Sequence, residues 1–94
     1  MIVSFASDET RQIFDGQSSR KLPPDIQRTA RRKLLYLHHA RTLRDLLAPP
    51  GNRLEARRGS RAGQHSIRIN DQWRICFRWE GGNVYDVEIA DYHS

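Results

Sequence analysis

The sequence predicts an α+β domain in which two N-terminal helices pack on one face of a small, mainly antiparallel sheet. Apolar residues recur at helical spacing through the first half of the chain. Pro49-Pro50-Gly51 then breaks that pattern, and short alternating runs separated by turn-like segments follow, as in an antiparallel meander. Ninety-four residues make a single domain over residues 1–94 with a thin core, because a chain this short buries only about 60–70% of the surface it exposes when unfolded.

The opening run "IVSF", residues 2–5, is rich in β-formers. Ser7 is placed to cap a first helix running to Asp15, with Asp8 and Glu9 in the first turn, where acids suit the helix dipole, and Gly16 at the exit. After the polar connector "QSSRKL", Pro23-Pro24-Asp25 announces a longer helix whose Ile26, Ala30, Leu34 and Leu37 share one face. The segment "TLRDLLA" is a further short helical turn. From Asn52 onward "RLEAR", "QHSIRI", "WRICFRW" and "NVYDVEI" read as strands, separated by "GSRAG", "NDQ" and "EGG". In the third of these, Trp73, Ile75, Phe77 and Trp79 alternate with Arg74, Cys76 and Arg78, so one face should pack and the other should be basic. Pairing with "QHSIRI" would bring Arg68, Arg74 and Arg78 onto one exposed sheet surface.

The formal charge is +5, and Lys21 and Lys33 are the only lysines among sixteen basic residues. Arginine's planar fork matches phosphate geometry, which points to a polyanionic partner; a genome biased to arginine codons is the plainer explanation. A lone Cys76 excludes an internal disulfide and a multi-cysteine metal site and fits a reducing cytoplasm. With neither a signal-like leader nor about eighteen apolar residues together, the expected protein is cytoplasmic and makes no use of a membrane.

Between residues 53 and 78, Arg53, Arg57, Arg58, Arg61, Arg68, Arg74 and Arg78 face only Glu55 and Asp71. The last strand runs directly into Asp91, Tyr92 and His93, three groups able to hold or move protons. Fixed cations beside acid-base groups are what RNA cleavage through the 2′-hydroxyl requires: a base for the hydroxyl proton, an acid for the departing 5′-oxygen, and positive charge for the phosphorane. No metal-ligand spacing is present, and no cofactor is expected.

The stretch "NRLEARRGSRAGQHSIRINDQWRICFRW" followed by "VEIADYH" resembles the HigB, or plasmid-maintenance killer, toxins of the RelE/ParE superfamily. The resemblance extends over nearly the whole chain. It implies the RelE-like microbial ribonuclease fold and a type II toxin that cuts mRNA on the ribosome. It also implies inhibition by a HigA-like helix-turn-helix antitoxin through which the complex binds operator DNA. By position it carries catalytic roles to Arg58, Arg74, Asp91, Tyr92 and His93. Some HigB proteins have histidine where Glu55 stands, so Glu55 could be base, hydrogen-bond acceptor or structural. Arg53, Arg57, Arg61, Arg68 and Arg78 would contact RNA.

Plainer readings accompany each residue. Alternating strand arginines are usually solvated, and a tail histidine is usually idle. His65 suits a core or edge position, His38 and His39 suit the carbonyl end of a helix, and Cys76 has no neighbour in sequence that would make it a nucleophile. Two other functions are open: a ParE-like inhibitor of a protein target such as DNA gyrase, and a nucleic-acid-binding module without catalysis. A pure binder has no need for "DYH" beside Arg58 and Arg74, which favours the nuclease.

Overall fold

The computed structural model describes residues 1–92 of the chain. Helix α1 spans Asp8–Phe14 and α2 spans Pro24–His39; strands β1 (Glu55–Ala56), β2 (His65–Arg68), β3 (Trp73–Glu80) and β4 (Asn83–Asp91) form one sheet in the order β1-β2-β3-β4, each antiparallel to the next. The expected α+β arrangement is present, with both helices on one sheet face.

Local chemistry sets the helix ends. The Ser7 hydroxyl accepts from the Thr10 amide at 3.3 Å and caps α1, while Gly16, at φ 87°, takes the left-handed conformation that ends it. Pro24 opens α2, and Ile26, Ala30, Leu34 and Leu37 are buried along its inner face as their spacing predicts. They meet a row that crosses the sheet, Ile67 opposite Ile75 opposite Ile89, together with Phe77, Val84 and Val87. Each large aliphatic or aromatic side chain so buried contributes about 1.5–3 kcal/mol. Thr10, fully buried, joins the layers: its hydroxyl accepts from the Ile89 amide at 3.0 Å.

The "TLRDLLA" segment forms a 3₁₀ turn over Leu43–Leu47, closed by a reciprocal capping box between Thr42 and Asp45. Two backbone bonds lower the Asp45 pKa. The opening residues do not form a separate strand. Ile2 and Phe5 instead make isolated parallel bridges to Val84 and Val87 on β4. The Ile2 amide donates to His38 Nδ1 at 3.1 Å, fixing the N-terminal segment to the end of α2. Between Cys76 and Arg78 the β3–β4 register shifts, and β4 absorbs the extra residue with Asp86 at φ 55°.

Candidate active site

The second face of the sheet is polar but largely covered. Register places Glu55 opposite Ser66, Ser66 opposite Cys76, and Cys76 opposite Glu88, a row that takes one residue from every strand. The next row pairs Arg68 with Arg74 and Arg74 with Ala90. The segment between β1 and β2, with a 3₁₀ turn at Gly59–Arg61, lies over this face and is fastened by Arg61 Nη2 to Glu88 Oε1 at 2.8 Å. That bond raises the Arg61 pKa.

Arg74 departs from expectation. It was expected on an exposed surface with Arg68 and Arg78; it is 6% exposed, because the β1–β2 segment and Tyr92 cover the face that strand alternation alone would leave open. Its Nε donates to Ser66 Oγ at 2.7 Å, and its Nη2 donates to the Ser66 carbonyl at 3.2 Å and to the Arg53 carbonyl. Arg53 makes the last contact from the left-handed region, φ 44°. Nη1 donates to none of the described residues. Burial lowers the Arg74 pKa and Glu55 opposes that effect; an arginine nonetheless stays cationic in a protein.

Around Arg74 lies a cavity of about 270 Å³ lined by Arg57, Arg58, Ser60, Arg61, Cys76, Ala90, Asp91 and Tyr92. The Tyr92 ring, 45% exposed, has the Arg57 guanidinium 5.2 Å and the Arg74 guanidinium 5.6 Å from its centre, within cation–π range. Asp91 pairs with Trp73 in the register, accepts from Gln72 Nε2 at 2.9 Å and lines the same wall. Glu55 lines an adjoining cavity of about 580 Å³ with Arg57, Arg58 and Tyr92. Its Oε1 is 2.9 Å from Arg57 Nη1 and its Oε2 4.0 Å from Arg74 Nη2, so the carboxylate is held between two guanidiniums. His93 lies outside the described residues. Cys76 also faces the cavity, but burial raises its thiol pKa against the pull of Arg61 and Arg57, and the neutral thiol is favoured.

The expected arginines therefore divide. Arg57, Arg58, Arg61 and Arg74 converge on the cavity, whereas Arg53 does not line it and contributes only its carbonyl, as an acceptor for Arg74. Arg68 is instead paired with Asp71, and Arg78 with Glu80 at 2.7 Å and Asp86 at 3.0 Å; neither lines the cavity. The continuous basic surface read from the strands is broken up because Arg74 is buried, Asp71 in the β2–β3 turn pairs with Arg68, and Glu80 on β3 and Asp86 on β4 pair with Arg78. Ser66, Ser60, Gln72 and Glu88 were missed: their roles follow from register and loop path, for which the sequence has no local signal. A more apolar groove of about 400 Å³, between α2 and the Leu43–Leu47 turn, shares no residue with this region. Among the described residues no three His, Cys, Asp or Glu side chains are grouped to hold a metal, and no helix is long and apolar enough to cross a membrane.

Two helices on one face of a four-stranded antiparallel sheet, with arginines gathered on the other, are consistent with the RelE-like toxins of type II toxin-antitoxin systems. A family model described as the RelE-like toxin of type II toxin-antitoxin system HigB matches residues 3–93. Toxin HigB-1 of Vibrio cholerae serotype O1 is 37% identical over 83 residues, covering 87% of this chain and 87% of that protein. An uncharacterized protein of Haemophilus influenzae is 30% identical over 79 residues, 84% of this chain and 77% of its own length. The chain belongs to the HigB-like toxin family, which implies an antitoxin as its partner.

Proposed function

We propose that the protein is a ribosome-dependent mRNA endonuclease that arrests translation by metal-independent cleavage, and that an antitoxin of the HigA type restrains it. The observation that carries this reading is the convergence of Arg57, Arg58, Arg61 and Arg74 with Asp91 and Tyr92 on one cavity. In the reaction the 2′-oxygen loses its proton to a base and attacks phosphorus; the bond to the 5′-oxygen breaks and an acid protonates that oxygen, leaving a cyclic phosphate and a 5′-hydroxyl. Arg74 and Arg58 stabilise the phosphorane, and the terminal Asp91, Tyr92 and His93 supply proton transfer. Glu55, held between two cations, orients Arg57 and Arg74. Arg57 and Arg61 hold the flanking phosphates.

Expression of the chain without an antitoxin should stop translation, with new mRNA ends inside translated regions, and the downstream fragments should carry the 5′-hydroxyl that attack by the 2′-oxygen leaves. Continued translation with failure of DNA supercoiling would overturn the reading in favour of a gyrase inhibitor. His93→Ala should slow single-turnover cleavage by about 10²- to 10⁴-fold while ribosome affinity changes much less; an unchanged rate would remove His93 from the mechanism.

A further inference from the structure

We infer that Ser66 is a positioning residue for this cleavage, one that fixes the plane of the Arg74 guanidinium so that its remaining edge is presented to the cavity; the inference rests on the nuclease reading. Ser66 is fully buried and does not line the cavity, so it cannot touch a substrate there. It is nonetheless bonded twice to a residue that does, through its hydroxyl to Arg74 Nε and through its carbonyl to Arg74 Nη2. The Arg53 carbonyl takes Nη2 as well. These bonds engage two adjacent nitrogens of one planar fork, whereas Nη1 donates to none of the described residues.

A guanidinium on a flexible stem can rotate about its terminal torsions, and a bond to Nη2 alone would leave it free to pivot. The second anchor at Nε, 2.7 Å long, removes that freedom. Serine suits the position for two reasons. The hydroxyl offers the lone pair that Nε–H needs, and the side chain is small enough for the space between Glu55 and Cys76, its register neighbours on the same face. Alanine would leave Nε–H buried with no acceptor from Ser66's position and let the fork tilt. A misplacement of about 1 Å can cost a reaction around 10²-fold.

The test joins an assay on ribosomes with one that needs none. Nitrogen-resolved NMR of the whole chain should show a slowly exchanging Nε–H signal that Arg74→Ala removes, which assigns it. In Ser66→Ala that proton should exchange at least about 10-fold faster, and single-turnover cleavage should fall by about 10- to 100-fold with ribosome affinity unchanged. Ser66→Thr, which keeps the hydroxyl, should restore both to within a few-fold. Circular dichroism and backbone amide spectra establish that each variant is folded. If Ser66→Ala does not fold, the comparison of Ser66→Thr with Ser66→Cys, of similar size but a poor acceptor, decides the matter by the same two readouts.

Accelerated exchange with wild-type cleavage, or slowed cleavage with an unmoved Nε–H signal, overturns the inference. So does a loss of affinity equal to the loss of rate. If wild-type protein cleaves nothing while its Nε–H signal behaves as expected, the nuclease reading is what fails, and the positioning role for cleavage falls with it.

Discussion

Arg74 is at once buried and cationic, so its removal has two costs that can be measured apart. Arg74→Ala should lower single-turnover cleavage by about 10²- to 10³-fold, the usual loss when an electrostatic donor to a transition state is deleted. It also strips the buried Ser66 hydroxyl and two carbonyls of their donor. An unsatisfied buried polar group costs about 1–3 kcal/mol, and each 1 kcal/mol lowers the Tm of a domain this size by about 4–8 °C. A thermal melt should therefore move down with the rate, whereas a solvated arginine would leave it unchanged. Arg74→Lys keeps the charge but cannot fill both anchors, and should recover only part of each. The sequence made Arg74 legible as a functional candidate through its family resemblance. It did not make the burial legible, since alternation assigns a face but says nothing of what lies over it. Ser66 was visible only as a small polar residue on the strand face opposite Ile67 and Ile69, because the bond that matters is set by a neighbouring strand.

At the scale of elements, the β1–β2 segment forms a wall of the cavity and is tied to the sheet by Arg61 and Glu88, a pair 2.8 Å apart and about two-thirds buried. Glu88→Gln keeps the shape and removes the charge. Global stability should change little, by about 0–1 kcal/mol as for partly exposed ion pairs. Local protection should change more: the Ala62 amide, which donates to the Gly59 carbonyl at 3.0 Å inside the turn, should exchange its hydrogen several-fold faster. Equal protection in the two proteins would mean that the segment is held by its backbone bonds alone, such as Arg57 to Gln64 at 2.8 Å. Both helices and all four strands were readable, because cap residues, the Pro-Pro pair and period-two alternation are local signals. The opening "IVSF" run is rich in β-formers yet forms no strand of its own. Its parallel bridges to β4 depend on contacts about eighty residues away, which no local pattern encodes. The Asp86 bulge is equally silent, its left-handed backbone depending on the registers on either side.

For the molecule as a whole, the N-terminal segment closes the fold, and His38 holds it there in a manner sensitive to acid. The Nδ1 lone pair accepts the Ile2 amide, so the neutral imidazole is the one that fits. Burial lowers the His38 pKa, with His39 and the N-terminal ammonium adding to the effect. A histidine depressed in the native state binds fewer protons there than in the unfolded chain. Its stabilising contribution is complete above the unfolded value of about 6.5 and declines as pH falls below it toward the lower native value. Urea melts between pH 7.5 and 5 should show this decline, and His38→Gln, which can still accept through oxygen but does not titrate, should flatten that part of the profile. Parallel profiles would assign the acid sensitivity to carboxylates elsewhere. Sequence position alone suggested that His38 serves the carbonyl end of α2, and the amide it accepts became identifiable only once the chain's opening had been placed beside it.

The alternation of apolar and polar rows on β2, β3 and β4 has a consequence for genetics. Bacteria plated without an antitoxin survive only if the toxin is disabled, and disabling changes on the two faces of these strands should fall into two kinds, outside the buried Arg74 and the Asp86 bulge. Changes at Ile67, Ile75 or Ile89 should empty the cell of folded protein, while changes at Ser66 or Glu88 should leave abundant protein that does not kill. Immunoblots of the survivors would therefore alternate between faint and strong wherever the strands run regularly, and the pleat of the sheet could be read from a colony plate.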